Sequence, residues 1–323
     1  MEPVSARRYQ QLVAVTAALL ALIVLTGATV RLTKAGLGCS DWPNCHEGQI
    51  LPGEEDLLGM IEYGNRLLSG IVGLATIATV IGARRLRPKR PDLVPWAWGL
   101  IAGSIAQILL GAAVVRLELD PTVVAGHFLL SIVMLWNVLV LWFKSGSRPG
   151  PTSPRVDRAT IRHGRAVVTL ITLVLFVGTL VTGTGPNSGD GRAERLGLEF
   201  ATIARTHSVL AWLFLAATIG FVINLRRVNF ETLPPPNLDP GRLARWLTAT
   251  AALQGAIGYW QYLTGVPPLL VGFHVAGSVA LWIVTVLLYL SLFARRVLDA
   301  TDAESVADSV DLPVGVIEDV EPV

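Results

Sequence analysis

The sequence predicts an all-α membrane protein: eight transmembrane helices arranged as two pseudo-symmetric four-helix bundles. Three observations predict it. The chain is 52% hydrophobic and only 15% charged, with a mean hydropathy of +0.56. Its apolar residues fall in blocks, each close to the ~20 residues that a spanning helix needs. The pattern of the first four blocks recurs in the last four.

The first block, 10–32, follows Arg7 and Arg8 and has the look of a signal peptide. It lacks a small-x-small cleavage site, so it reads as an uncleaved first span. The second block, 62–83, is followed by Arg84, Arg85, Arg87, Lys89 and Arg90. The third and fourth cover 94–115 and 122–143, and Lys144, Arg148, Arg155, Arg158, Arg162 and Arg165 come after them. The fifth and sixth cover 164–184 and 203–224, followed by Arg226, Arg227 and Arg242. The seventh and eighth cover 243–264 and 268–293, with Arg295 and Arg296 behind them. In lipid a spanning segment must satisfy its own backbone, as a helix or a closed barrel. Uninterrupted apolar runs exclude barrel strands, which alternate. The basic residues gather on every second connection, so the positive-inside rule places both termini in the cytoplasm of a multi-pass cell-membrane protein. The partner these charges imply is membrane lipid, not nucleic acid.

Four segments follow: an N-terminal half (1–144), a cytoplasmic linker (145–163) opening with the Pro/Gly/Ser-rich "SGSRPGPTSPR", a C-terminal half (164–296), and a tail (297–323). The tail is acidic and poor in large apolar residues, the composition of a disordered segment. The halves share a pattern. "QILLG" (107–111) precedes His127 as "QGAIG" (254–258) precedes His274, with Gln and His twenty apart in both and a serine four beyond each His (Ser131, Ser278). "GATV" (27–30) and "GTLV" (178–181) end the first span of each half. An even number of spans per half sets the pseudo-two-fold axis along the membrane normal.

The chemistry-bearing residues lie toward the outer face. His46 and His163 read as solvated histidines at loops. His127, His207 and His274 instead lie a turn or two inside spans, where an imidazole is costly without a partner. Facing helices of a bundle commonly supply axial histidines to haem iron, whereas zinc gathers three or four closely spaced ligands. His207 and His274 therefore pair as ligands of one haem in the second half, the alternative being a structural polar network. By the repeat, the first half supplies His127 and a partner from the second span, where Asn65 stands in place of a histidine. Glu62 and Arg66 share a helix face at i, i+4. They read either as an ion pair at the start of the helix or as a substrate-facing carboxylate that gives or takes a proton, with Arg66 holding it ionised or binding an anionic substituent. Cys39 and Cys45 share the outer loop "GCSDWPNCHEG" and can form a disulfide pinning it over the bundle mouth; a transient thiol role is the other reading. Gln107 and Gln254 read as residues that knit helices together, and Trp96, Trp142, Trp212 and Trp246 as interfacial anchors or packing.

Two four-helix repeats, "E-x-x-x-R" at Glu62–Arg66, "CSDWPNC" and single histidines opening the even-numbered spans resemble the haem A synthases of the CtaA/Cox15 family. The resemblance covers the chain apart from the linker and the tail. It implies oxidation of the C8 methyl group of haem O to the formyl group of haem A. It also implies haem b ligated by His207 and His274, substrate haem on His127, Glu62 as the catalytic carboxylate, Cys39 and Cys45 as the loop pair, and haem O synthase and an electron donor as partners. Asn65 departs from the family's "E-x-x-H-R". Either the substrate haem is five-coordinate on His127, leaving iron an open position, or the first-half site is altered; the first is preferred because Glu62, Arg66, His127 and both cysteines remain. A di-haem membrane cytochrome b that passes quinol electrons without substrate chemistry, and a transporter, are the competing readings.

Overall fold

The structure, a computed structural model, describes residues 4–147, 149, 152–187, 189–228, 230 and 238–294. The acidic tail, Arg295, Arg296 and Arg148 lie outside the described residues. Eight helices run in the expected order: α1 Ala6–Leu32, α2 Leu57–Arg85, α3 Val94–Arg116, α4 Pro121–Ser145, α5 Arg158–Thr184, α6 Phe200–Leu225, α7 Pro240–Leu263 and α8 Pro268–Leu290. All but α7 are long and apolar enough to cross a membrane. α7 has the length but carries Arg242, Arg245, Gln254 and Gln261, which dilute its apolar character.

Local chemistry sets the ends. Ser5, Asp56, Asp120, Asp157 and Asp239 each accept a first-turn backbone N–H with the side chain, supplying a partner that a helix start otherwise lacks. Pro121, Pro240 and Pro268 open helices, where a missing N–H costs nothing. Two arginines serve carbonyls at the other ends. Arg90 donates to the Ser147 and Lys144 carbonyls (2.6 and 2.9 Å) at the end of α4 while paired with Asp92. Arg155 donates to the Ser291 carbonyl (2.7 Å) just beyond α8.

The helices touch in two closed rings. α1–α2–α3–α4 closes through α1 with α4, and α5–α6–α7–α8 closes through α5 with α8. α1 and α4 join the rings by packing on α8, and α4 also meets α5. Trp282 of α8 donates to the Ile132 carbonyl of α4 (3.1 Å) and its ring lies 6.1 Å from that of Trp136. Small residues let helices approach, as expected where hydrophobicity alone gives no drive between helices in lipid. A Cβ on Gly82 would stand 3.0 Å from the Tyr9 ring. The Thr16–Thr79 hydroxyl pair (3.0 Å) ties α1 to α2, an interhelical bond worth about 1 kcal/mol.

The linker is shorter than expected. α4 runs through Ser145 and α5 starts at Arg158, because Asp157 caps it six residues before the apolar block begins. The linker is also docked: β1 (Ser153–Pro154) pairs antiparallel with β2 (Phe293–Ala294), so the last residues of the eighth apolar block leave the helix for a strand. His163 is not a solvated histidine. It lies within α5, with Nε2 3.0 Å from the Ala217 carbonyl and its ring against Phe221.

Candidate functional site

The site is built at the end of the bundle that carries the cysteine loop. α2 begins at Leu57, five residues earlier than its apolar block, which sets Glu62 and Arg66 inside the helix instead of at its mouth. Asp56 starts it by accepting the Gly59 N–H (2.9 Å) and holding His46 Nε2 (2.9 Å). These two partners keep the Asp56 carboxyl below the usual aspartate range. His46 also meets Ser40 Oγ (3.1 Å), so this loop histidine is tied down on both ring nitrogens.

Cys39 and Cys45 form a disulfide, and both are fully buried. The loop they close is clamped from below by the Glu62–Arg66 pair. Glu62, 6% exposed, accepts the Cys39 N–H at Oε2 (2.8 Å) and Arg66 at Oε1 (2.6 Å). Arg66 donates in turn to the Asp41 carbonyl (3.0 Å) and the Asn44 carbonyl (2.9 Å). The pair expected either as a plain ion pair or as a substrate-facing carboxylate is thus a buried clamp joining α2 to both arms of the disulfide loop. One helical turn along the same face, Asn65 accepts the Thr26 hydroxyl of α1 at Oδ1 (2.8 Å).

The three intramembrane histidines sit at matching depth. His127 is six residues into α4, His207 seven into α6 and His274 six into α8. Rings of His207 and His274 face each other with centroids 6.2 Å apart, nearly edge-on. His207 Nδ1 lies 3.1 Å from the Val174 carbonyl of α5, which holds the proton there and frees Nε2. The Nδ1 atoms of His274 and His127 are buried without a protein partner. Gln107 does knit helices: its amide reaches the His127 carbonyl (3.1 Å) and Ser131 Oγ (2.7 Å). Gln254 is buried against Gly277 of α8, both polar atoms unpartnered.

Arg31, which no motif in the sequence singles out, ends α1 and donates to the Asn187 carbonyl (2.5 Å) and the Thr182 carbonyl (3.4 Å). Asn187 continues to the Val266 carbonyl (3.1 Å) before α8. A cation in the last turn of the first apolar block was the available signal. Of the expected anchors, Trp212 and Trp246 are exposed, and Lys144 lies over Trp96.

Together these features define a polytopic helical protein that presents half-buried imidazoles, two of them facing, beside a disulfide loop clamped by an acid–arginine pair. Comparison with known proteins names the class. A family model, COX15-CtaA, described as cytochrome oxidase assembly protein, matches residues 10–186, more than half of the sequence, and the chain belongs to this family. A protein of Exiguobacterium sp. (strain AT1b) named Heme A synthase is 29% identical over 251 residues, 76% of this chain and 80% of its own length. Heme A synthase of Exiguobacterium sibiricum is 31% identical over 51% of this chain and 56% of its own length. That of Geobacillus thermodenitrificans is 30% identical over 50% and 52%. Against these last two, the chain spans about half the length of the relatives it matches. His207 and His274 lie beyond residues 10–186.

Proposed function

We propose that this chain is a haem A synthase of the cell membrane, with both termini cytoplasmic, that oxidises the C8 methyl group of haem O to a formyl group. One observation carries the reading: the facing rings of His207 and His274. An imidazole nitrogen about 2 Å from a metal sets its ring centre roughly 3 Å away, so two ligands on opposite sides stand roughly 6 Å apart. The observed 6.2 Å is close to that separation. The orphaned Nδ1 of His274 does not oppose this, since a ligand histidine's second nitrogen is commonly served by a water or a carbonyl.

In this reading His207 and His274 hold haem b, which supplies one-electron transfer between an external donor and the first half. His127 binds the substrate haem on one side. Asn65, tied to Thr26, contributes no imidazole on the other, so one face of the substrate iron stays open. Glu62 takes or gives a proton at Oε1 or Oε2, and Arg66 balances its charge in the buried site. With dioxygen as the oxidant, each of two hydroxylations of the methyl carbon would consume one O2, two donor electrons relayed through the second half and two protons, and release one water; the first gives the alcohol, the second the geminal diol, which loses water to leave the aldehyde. Haem O synthase supplies the substrate.

Pigment extraction from purified protein, made with a haem O supply, tests the reading. Haem O or haem A beside haem B supports it. Haem B alone favours a di-haem electron carrier, for which the engagement of Glu62 and Arg66 by the loop speaks. Absence of haem overturns both. His127→Ala and Glu62→Gln then assign roles: unchanged haem A yield in either variant removes that residue from the mechanism.

A further inference from the structure

The helix preceding each intramembrane histidine offers it a glycine. A Cβ built on Gly178 of α5 would stand 3.2 Å from Cε1 and 3.6 Å from Nδ1 of His207. On Gly258 of α7 it would stand 3.3 and 3.8 Å from the same atoms of His274, and on Gly111 of α3 it would stand 3.7 Å from Cε1 of His127. The ring edge laid on the glycine is the same each time, and Nε2 lies more than 4 Å from every one of these Cβ positions. For His207 the glycine sits one turn beyond Val174, whose carbonyl takes Nδ1. Gly111 and Gly258 close the "QILLG" and "QGAIG" motifs, whose glutamines lie one turn before them. The remaining helix pair, α1–α2, keeps a glycine at Gly27 but carries Asn65, and a Cβ there would meet nothing within 4 Å.

We infer that Gly178 and Gly258 are positioning residues: each lets the Cε1–Nδ1 edge of one imidazole rest on helix backbone, fixes its ring plane and turns Nε2 toward where the iron would sit. The inference rests on the haem reading above. A side chain at these positions would act through the histidine, so ring orientation is what changes. At 3.2–3.3 Å an added methyl makes the ring shift by a few tenths of an ångström, whereas 3.7 Å is ordinary contact. The effects must therefore be graded.

The test uses the full-length protein purified with haem. Gly178→Ala and Gly258→Ala are compared with Gly255→Ala, a helix glycine whose Cβ would meet nothing within 4 Å. Alanine is the better helix former, so these variants are expected to fold. The readouts are haem content, the g values of the low-spin electron paramagnetic resonance signal and the midpoint potential. Gly178→Ala and Gly258→Ala are expected to lower haem content severalfold or to move the g values and the potential; Gly255→Ala moves none, and Gly111→Ala changes first-half haem little. Wild-type levels of all three readouts in both Gly178→Ala and Gly258→Ala overturn the inference. A haem-free wild-type protein overturns the haem reading itself, which keeps the two failures apart.

Discussion

Replacing Arg66 by methionine removes a half-buried cation while keeping much of its volume. The substitution deletes the bonds to Glu62 Oε1 (2.6 and 3.2 Å) and those to the Asp41 and Asn44 carbonyls (3.0 and 2.9 Å). Glu62 keeps the Cys39 N–H, with its side chain 8% exposed. Breaking a buried pair by removing one partner costs about 3–5 kcal/mol, because the surviving charge stays desolvated. Arg66 is somewhat more open than Glu62, which points to the lower end, about 3 kcal/mol. Converting Glu62 as well removes the stranded charge, so the Arg66→Met/Glu62→Gln double variant should recover about 1–2 kcal/mol of the loss. Thermal unfolding in detergent of wild type, both single variants and the double variant completes the cycle. Equal melting of Arg66→Met and wild type, or additive losses in the double variant, would refute the clamp.

Three further outcomes are expected. Asn65→His introduces an imidazole beside the open space at Gly27. First-half haem should then turn low-spin on gaining a second imidazole, and an unchanged spectrum counts against an open iron face. Asp56→Ala removes the cap of α2 and should cost about 1 kcal/mol at neutral pH. Because the folded Asp56 carboxyl titrates below the ordinary value, its stabilisation is complete above about pH 4 and fades as pH falls further. The melting gap between wild type and this variant should thus narrow from pH 6 to pH 3, and a constant gap rejects the assignment. Cys39→Ser/Cys45→Ser opens a short loop and should cost roughly 2 kcal/mol, less than Arg66→Met, read by thermal shift with and without reductant.

The helices were legible because lipid leaves little choice: a block of apolar residues must close its own hydrogen bonds, and each block became a helix. Their ends were less so. Capping by Asp56 and Asp157 extends α2 and α5 beyond their apolar blocks, and a cap is a local contact that hydropathy does not register. The facing of His207 and His274 was legible from burial cost and the repeat. The clamp was not, since Glu62 and Arg66 at i, i+4 announce a pair without announcing its third partner. The Cys39 N–H and the Asp41 and Asn44 carbonyls are backbone groups that carry no sequence signal. Arg31 was hidden for the same reason, both of its acceptors being carbonyls.

The placement of Asn65 and Glu62 bears on which half does chemistry. Iron held by two imidazoles has no free axial position, so a site built from His207 and His274 is suited to passing electrons and not to admitting a reactant. On α2 the amide that replaces an imidazole and the buried carboxylate lie three apart, on one face of one helix. The only intramembrane carboxylate on that face therefore stands beside the only helix pair that keeps a glycine without a histidine, among the described residues. A wire needs neither feature, whereas oxidation of a bound methyl group needs an accessible face and a proton carrier at the same end. Glu62 is also joined to the disulfide loop through Cys39, so any change that lifts the loop withdraws a hydrogen bond from that carboxylate. Under the proposed function, reactivity in the first half would thereby be coupled to the loop's position, and the second half, where no such clamped acid is found among the described residues, would be left with electron transfer.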